Sequence, residues 1–232
     1  MSVVAIIPAR GGSKGIPLKN VMSLCGRPLL AWSVRQALAA TCVDRVLVTT
    51  DAEEIAAVAR DEGAEVYWRN AHTATDTAST ELAVEEVLDA LGVDQPEYTL
   101  LLQATSPIRQ PADIDSAITS LIASGADSLF AARRVEGYVW QHTLDAGLVP
   151  LHGGRLPRQL RPETVWEENG SLYVFRTESF LAERTRHCGH TVMFEMDPLD
   201  SFQLDEYADV ARLEQLIQLR MHDVSHFTTT HV

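Results

Sequence analysis

The chain has 232 residues, 46% of them hydrophobic, and a formal net charge of −13 from 32 acids against 19 bases. That length suits one α/β domain, 1–232, with a full core, and the acidic balance excludes non-specific binding to nucleic acid or anionic membranes, which needs a basic surface. Three scattered cysteines, Cys25, Cys42 and Cys188, make neither a CxxC pair nor a metal spacing and read as reduced thiols in the cytoplasm, while no apolar run is long enough for a membrane span or flanked like a secretion signal.

The first element is the apolar run Val3-Val4-Ala5-Ile6-Ile7, which predicts a short buried strand. It breaks into Pro8-Ala9-Arg10-Gly11-Gly12-Ser13-Lys14-Gly15-Ile16-Pro17-Leu18-Lys19-Asn20, a loop with three glycines, three cations and no acid. Glycines let backbone N–H groups approach an anion, so this loop is suited to holding phosphates. It lacks both the glycine-lysine-Ser/Thr ending of a P-loop and the G-x-G-x-x-G of a dinucleotide fold.

Helical spacing follows over Leu29 to Ala40, then a strand at Asp44 to Thr49, a helix at Ala52 to Glu62 and a strand at Glu65 to Trp68. Val84, Val87, Leu88 and Leu91 recur at helical intervals, predicting an amphipathic helix over Ser79 to Leu91. A strand at Tyr98 to Leu102, a helix at Ala112 to Ala123 and a strand at Ser128 to Arg133 complete the alternation. Such alternation implies βαβ units and a mostly parallel sheet. Ligands bind outside the carboxyl ends of such strands, where the loops at Pro8–Asn20, after Trp68, and at Gln103 to Arg109 converge. From Glu136 to Arg161 the helix signals vanish and short extended pieces are expected. Regular structure resumes at Gly170 to Phe175, and a last helix is expected from Glu206 to Leu219.

The run Ile7 to Asn20 resembles the signature of the acylneuraminate (CMP-sialic acid synthetase) cytidylyltransferases. Four further segments fall in that family's order: Thr75-Asp76-Thr77-Ala78-Ser79, Leu101 to Arg109, Pro157-Arg158-Gln159 and Glu168-Asn169-Gly170-Ser171-Leu172-Tyr173. The resemblance implies a three-layer, nucleotide-diphospho-sugar transferase-like fold. It also implies transfer of CMP from CTP to a nine-carbon 2-keto sugar acid, with pyrophosphate released and Mg²⁺ or Mn²⁺ as cofactor. Arg10, Lys19 and Lys14 would hold the triphosphate beside the amides of Ala9, Gly11, Gly12 and Ser13. Asn20, Arg69, Ala78 and Thr80 would line the cytidine pocket; Arg69 also reads as a surface residue ending its strand. Gln103, Arg158, Asn169 and Tyr173 would contact the sugar acid, with Arg158 pairing its carboxylate bidentately. Tyr173 reads equally as simple core packing. The resemblance further implies a homodimer reached through the insertion at 136–161.

Several positions depart from the family pattern. Asn70 and Ala104 stand where prolines are usual, and Tyr138 to His142 lacks a lysine that some members carry. The family's Ser-Ile-Asp-Ile-Asp is here Ser201-Phe202-Gln203-Leu204-Asp205. Alternation puts Gln203 and Asp205 on one side of an extended segment as the metal pair, with a single carboxylate between them. Mg²⁺ takes one or two carboxylates plus substrate phosphates, so Asp205 with the triphosphate would suffice; Asp205 also reads as an N-cap for the helix that follows. No nucleophile triad is evident, so direct displacement is expected, and no side chain stands out as general base. A nucleotide-binding module that has lost catalysis, or a nucleotidyltransferase using another base or sugar acid, remain as alternatives.

Overall fold

The computed structural model describes residues 1–12, 15–75, 77–151, 157, 160 and 164–227, the last six of these by backbone only. In chain order the elements are β1 (Val3–Pro8), β2 (Ser23–Leu24), β3 (Arg27–Pro28), α1 (Leu29–Ala39), β4 (Arg45–Thr50), α2 (Glu53–Asp61), β5 (Glu65–Trp68) and α3 (Thr80–Leu91). They continue with β6 (Tyr98–Leu102), α4 (Pro111–Ser124), β7 (Ser128–Val135), β8 (Trp140–Thr143), β9 (Gly147–Pro150), β10 (Val165–Arg176), α5 (Thr177–Glu183), β11 (Thr191–Glu195) and α6 (Tyr207–Phe227).

Seven strands form one sheet in the order β11-β7-β10-β6-β1-β4-β5. Strands β6, β1, β4 and β5 pair in parallel, as do β11 and β7, while β10 runs antiparallel to both its neighbours. The apolar runs of β1 and β6 exist because both their faces are covered. Ala5, Ile7, Leu100 and Leu102 face Leu30 and Val34 of α1, Ile55 of α2 and Ile114 and Ile118 of α4. Val4, Ile6, Leu101 and Phe175 face Val84, Val87 and Leu88 of α3 and Phe180 of α5. Each such side chain stabilises the fold by roughly 1.5–3 kcal/mol when fully buried.

Chain direction sets the place of the site. From β1 the chain moves to β4 and β5 on one side, then returns to β6 on the other side of β1. The strand order therefore reverses between β1 and β6, and a crevice opens at their carboxyl ends. A third apolar group closes the rim: Leu213 and Ile217 of α6 pack with Ile16, Leu24, Leu29, Ile108 and Leu204.

The expected strands and helices through β7 are present, with ends displaced by one or two residues. The stretch after Glu136 contains the hairpin β8–β9, which leaves Tyr138, Trp140, Leu148 and Leu151 exposed. The last helix runs to Phe227, past the expected end. Elements not anticipated are the small β2–β3 pair, α5 and β11. Helix α5 has only seven residues, too few to display a period, and β11 is a short edge strand whose inward Val192 and Phe194 are only partly buried.

Candidate active site

The loop after β1 is fixed by its own backbone. Ala9 N donates to Thr49 O (2.9 Å), prolonging the pairing with β4, and Gly11 N donates to Asp51 Oδ1 (2.8 Å). A side chain at Gly11 would begin 2.8 Å from Ala52 Cβ, so this turn against α2 admits only glycine. Buried Asn20 donates from Nδ2 to Arg10 O (3.1 Å), and Arg10 Nη1 donates to Thr75 O (2.8 Å), holding the loop's first cation over the rim.

Lys19 opens a single 3-10 turn, Lys19–Val21. Its ammonium donates to Leu204 O (3.0 Å) and lies 3.4 Å from Asp205 Oδ1, joining the first loop to the last extended segment. Gly15 lies against that segment too, since a Cβ there would sit 2.9 Å from Asp205 O. A cleft of about 230 Å³ results, lined by Pro8, Arg10, Gly12, Lys19, Asn20, Thr80, Gln103, Ala104 and Thr105. It brings together six of the expected residues: Arg10, Gly12, Lys19, Asn20, Thr80 and Gln103. Ala9 and Gly11 lie within the same loop, and Ala78 just before α3, whose N-cap Ser79 accepts from Leu82 N (3.3 Å). Ser13, Lys14 and Arg158 lie outside the described residues.

Arg69, half-buried beyond β5, donates from its backbone N to Thr50 O (2.8 Å) and from Nη2 to Thr49 O (3.2 Å). Burial pushes its guanidinium down, Asp51 and Glu86 oppose, and the charge of Arg10 pushes it down further. Its Nε is buried with no partner among the described residues. A donor without an acceptor beside a second cation is an arrangement that an anion relieves. Glu86 of α3, which no sequence motif marked, accepts from Asn70 N (2.8 Å), from the Asn70 amide and from the Thr73 hydroxyl, holding the segment after Arg69 against α3.

The C-terminal segment keeps the expected alternation. Leu204 is buried and its N donates to Thr105 O (2.8 Å), while Gln203 reaches Asn169 and Asp205 faces Lys19. The Gln203 amide nitrogen donates to Asn169 O. Entry to α6 is capped by Asp209, not Asp205: Asp209 Oδ2 accepts from Asp205 N (2.9 Å) and Glu206 N (2.8 Å), which hold its carboxyl below the usual range. The Asp205 carboxylate is thereby left to Lys19. Among the described residues no three His, Cys, Asp or Glu side chains gather into a metal cage. A hard cation would thus rely on Asp205 together with substrate oxygens, which its carboxylate chemistry fits.

Asn169 and Tyr173, expected as sugar contacts, are packed away from this cleft. β10 carries a bulge between Glu168 and Tyr173, with Gly170 at φ +67°. Within it the Asn169 side chain is spent internally, donating to Ser201 Oγ (3.0 Å) and accepting from Ser171 N (3.0 Å). Tyr173 is 2% exposed, donates its hydroxyl to Glu168, and has the Arg186 guanidinium 4.6 Å from its ring centre. Burial, with the Glu168 carboxylate, raises its phenol.

A cationic cleft at the switch point of a mostly parallel three-layer sheet defines a nucleotidyltransferase-type α/β fold. A solved structure of a CMP:2-keto-3-deoxy-manno-octonic acid synthetase complexed with CTP matches it with a TM-score of 0.70 over 95% of this chain and 100% of that one. At 17% identity that likeness speaks for the fold. The chain belongs to the cytidylyltransferase family, whose profile matches residues 4–220. It is 33% identical over 222 residues to the N-acylneuraminate cytidylyltransferase of Oncorhynchus mykiss, covering 93% of this chain and 50% of that protein, so it spans about half that relative's length. It is 31% identical to the CMP-N,N'-diacetyllegionaminic acid synthase of Legionella pneumophila, covering 94% of this chain and 97% of that one.

Proposed function

We propose that this chain transfers CMP from CTP to the anomeric hydroxyl of a nine-carbon 2-keto sugar acid. The carrying observation is that Arg10 and Lys19 line one cleft of a chain whose net charge is −13, with the under-partnered Arg69 beyond β5 close enough to feel the charge of Arg10. The kinship with proteins named for N-acylneuraminate and legionaminic acid supports the sugar class. The hydroxyl oxygen forms a bond to the α-phosphorus while the bond from that phosphorus to the bridging oxygen breaks. Pyrophosphate leaves and the hydroxyl proton passes to solvent. Such transfer depends on positioning and on stabilising the charge that gathers on the leaving group.

Lys19, its ammonium anchored at Leu204 O, and Arg10, anchored at Thr75 O, face that charge. Gln103 stands across the cleft and offers its amide to sugar hydroxyls. Arg158 is assigned to the sugar carboxylate because a guanidinium fork matches it. Mg²⁺ or Mn²⁺, held by Asp205 and the Gln203 amide oxygen with the triphosphate, would supply further neutralisation of the leaving group. We assign the working form as a homodimer built through the exposed apolar hairpin β8–β9, and the cytoplasm as its compartment. No helix among the described residues is long and apolar enough to cross a membrane.

Pyrophosphate release, measured with CTP, Mg²⁺ or Mn²⁺ and a panel of nonulosonic acids, tests the proposal. Turnover with at least one such acid, and preference for CTP over other nucleotides, is the expected result. Binding of CTP without turnover across all sugars and both metals would overturn it.

A further inference from the structure

Arg109 ends the loop that leaves β6, and none of it reaches solvent. Nε donates to Ser171 Oγ (3.0 Å), Nη1 to Ser33 Oγ of α1 (3.0 Å), and Nη2 to two carbonyls, Gln103 O (2.7 Å) and Ser171 O (2.8 Å). Among the described residues no carboxylate pairs with it directly. Burial pushes the guanidinium down to about 9, with Asp113 of α4 opposing through its charge. A fully buried cation is costly unless every donor is satisfied, so this one is held for its geometry.

That geometry sits where a ladder ends. The antiparallel pairing of β10 with β6 runs from Arg176↔Tyr98 to Leu172↔Leu102 and then meets the bulge. The next contact, Gln103 N to Ser171 O, is stretched to 3.4 Å. Nη2 of Arg109 reaches both strand ends at that point, bridging the carbonyls of Gln103 and Ser171. The space above is tight, since a Cβ on Gly170 would lie 3.2 Å from Gln103 Oε1 and 3.3 Å from Gln203 Cδ. A small rotation of the strand end at Gln103 therefore moves its side chain. Lysine carries the charge but not the planar fork that joins two carbonyls and two hydroxyls.

We propose that Arg109 is a positioning residue for the sugar-acid half of the reaction, fixing the aim of Gln103 without touching substrate. The assignment to the sugar acid rests on the proposed function above. Its test compares Arg109→Lys and Arg109→Met with the parent chain by steady-state kinetics and by hydrogen exchange of the amides at 103–106 and 169–173. Loss of the bridge is expected to raise the KM for the sugar acid roughly tenfold or more, with the KM for CTP changed less than about twofold. Exchange at both strand ends should quicken in both variants, and lysine should not rescue. A merely structural role would lower thermal stability while leaving the ratio of the two KM values unchanged, and that outcome overturns the inference. So does a lysine variant indistinguishable from the parent. If both variants fail to fold, Ser171→Ala, which removes the acceptor orienting Nε, should raise the sugar-acid KM about threefold, and no change there overturns it. Should the parent turn over no nonulosonic acid, the proposed function fails, whereas unaltered exchange in an active enzyme overturns the role of Arg109 alone.

Discussion

Replacing Lys19 by alanine removes the cation that joins the first loop to the last segment. Its side chain is 15% exposed and its ammonium is anchored 3.0 Å from Leu204 O, so the charge is aimed rather than free to swing. A unit charge about 4 Å from a phosphate oxygen interacts by about 4 kcal/mol at an effective dielectric near 20. Only the part that grows as charge moves onto pyrophosphate affects kcat. Loss of one such preorganised donor typically costs a factor of about 10²–10³. A fall in kcat of that size is expected for Lys19→Ala. The same change forfeits a charged hydrogen bond to Leu204 O, worth about 1–3 kcal/mol of stability. The ion pair with Asp205 adds little, because that carboxylate is 67% exposed. Melting should therefore drop by several degrees, on a scale of about 2–4 °C per kcal/mol for a chain of this size. The assay is pyrophosphate release at saturating CTP and sugar acid, well below the variant's melting temperature. A kcat within about threefold of the parent would refute the reasoning, since a folded chain would then be working without the charge.

Three other outcomes follow from the same contacts. Gln203→Glu cannot donate to Asn169 O, so metal-free stability should fall by about 1–3 kcal/mol, while the Mg²⁺ concentration for half-maximal turnover should fall. Thermal melting without metal and a Mg²⁺ titration check the two halves, and no movement in either contradicts the site as drawn. Asp115 accepts from Thr41 N, the Thr41 hydroxyl and Cys42 N, and although burial opposes, these bonds hold its carboxyl below the usual range. Its stabilisation is therefore complete above about pH 4, the unfolded value, and is lost as pH falls through the lower folded value. Asp115→Ala should cost about 1 kcal/mol at neutral pH, kept small by solvent screening, with the difference from the parent vanishing in acid melts. Trp140→Glu with Leu148→Glu, on the exposed hairpin, should shift sedimentation from dimer to monomer, and an unchanged coefficient would remove the hairpin from the assembly.

Much of the architecture was legible because β1 and β6 are apolar on both faces and α3 repeats its valines and leucines at helical intervals. Position along a period says nothing of direction, so the antiparallel insertion of β10 between β6 and β7 was not readable. The phosphate loop was legible through glycines and one-signed charge. What escaped was the set of groups that hold the three rim segments: Asp51 under Gly11, Glu86 under Asn70, and Arg109 beneath Gln103. Each acts on a residue distant or offset in sequence, so no local pattern reports it. Asn169 and Tyr173 show the converse. Asn169 lies in a bulge that follows from pairing with neighbouring strands and bonds inward to Ser201 and Ser171, while Tyr173 packs in the core, the second of the two readings its alternating strand allowed.

The bond between Lys19 and Leu204 joins positions 185 residues apart. Contacts of such separation are the last that a growing polypeptide can make. During synthesis β1, its loop and β4 can be complete while Lys19 still lacks the carbonyl that anchors it. The ammonium of Lys19 is therefore anchored only after the segment bearing Leu204 and Asp205 has left the ribosome. A premature stop anywhere before that segment would yield a chain with an intact loop after β1 whose Lys19 has lost both its partners there.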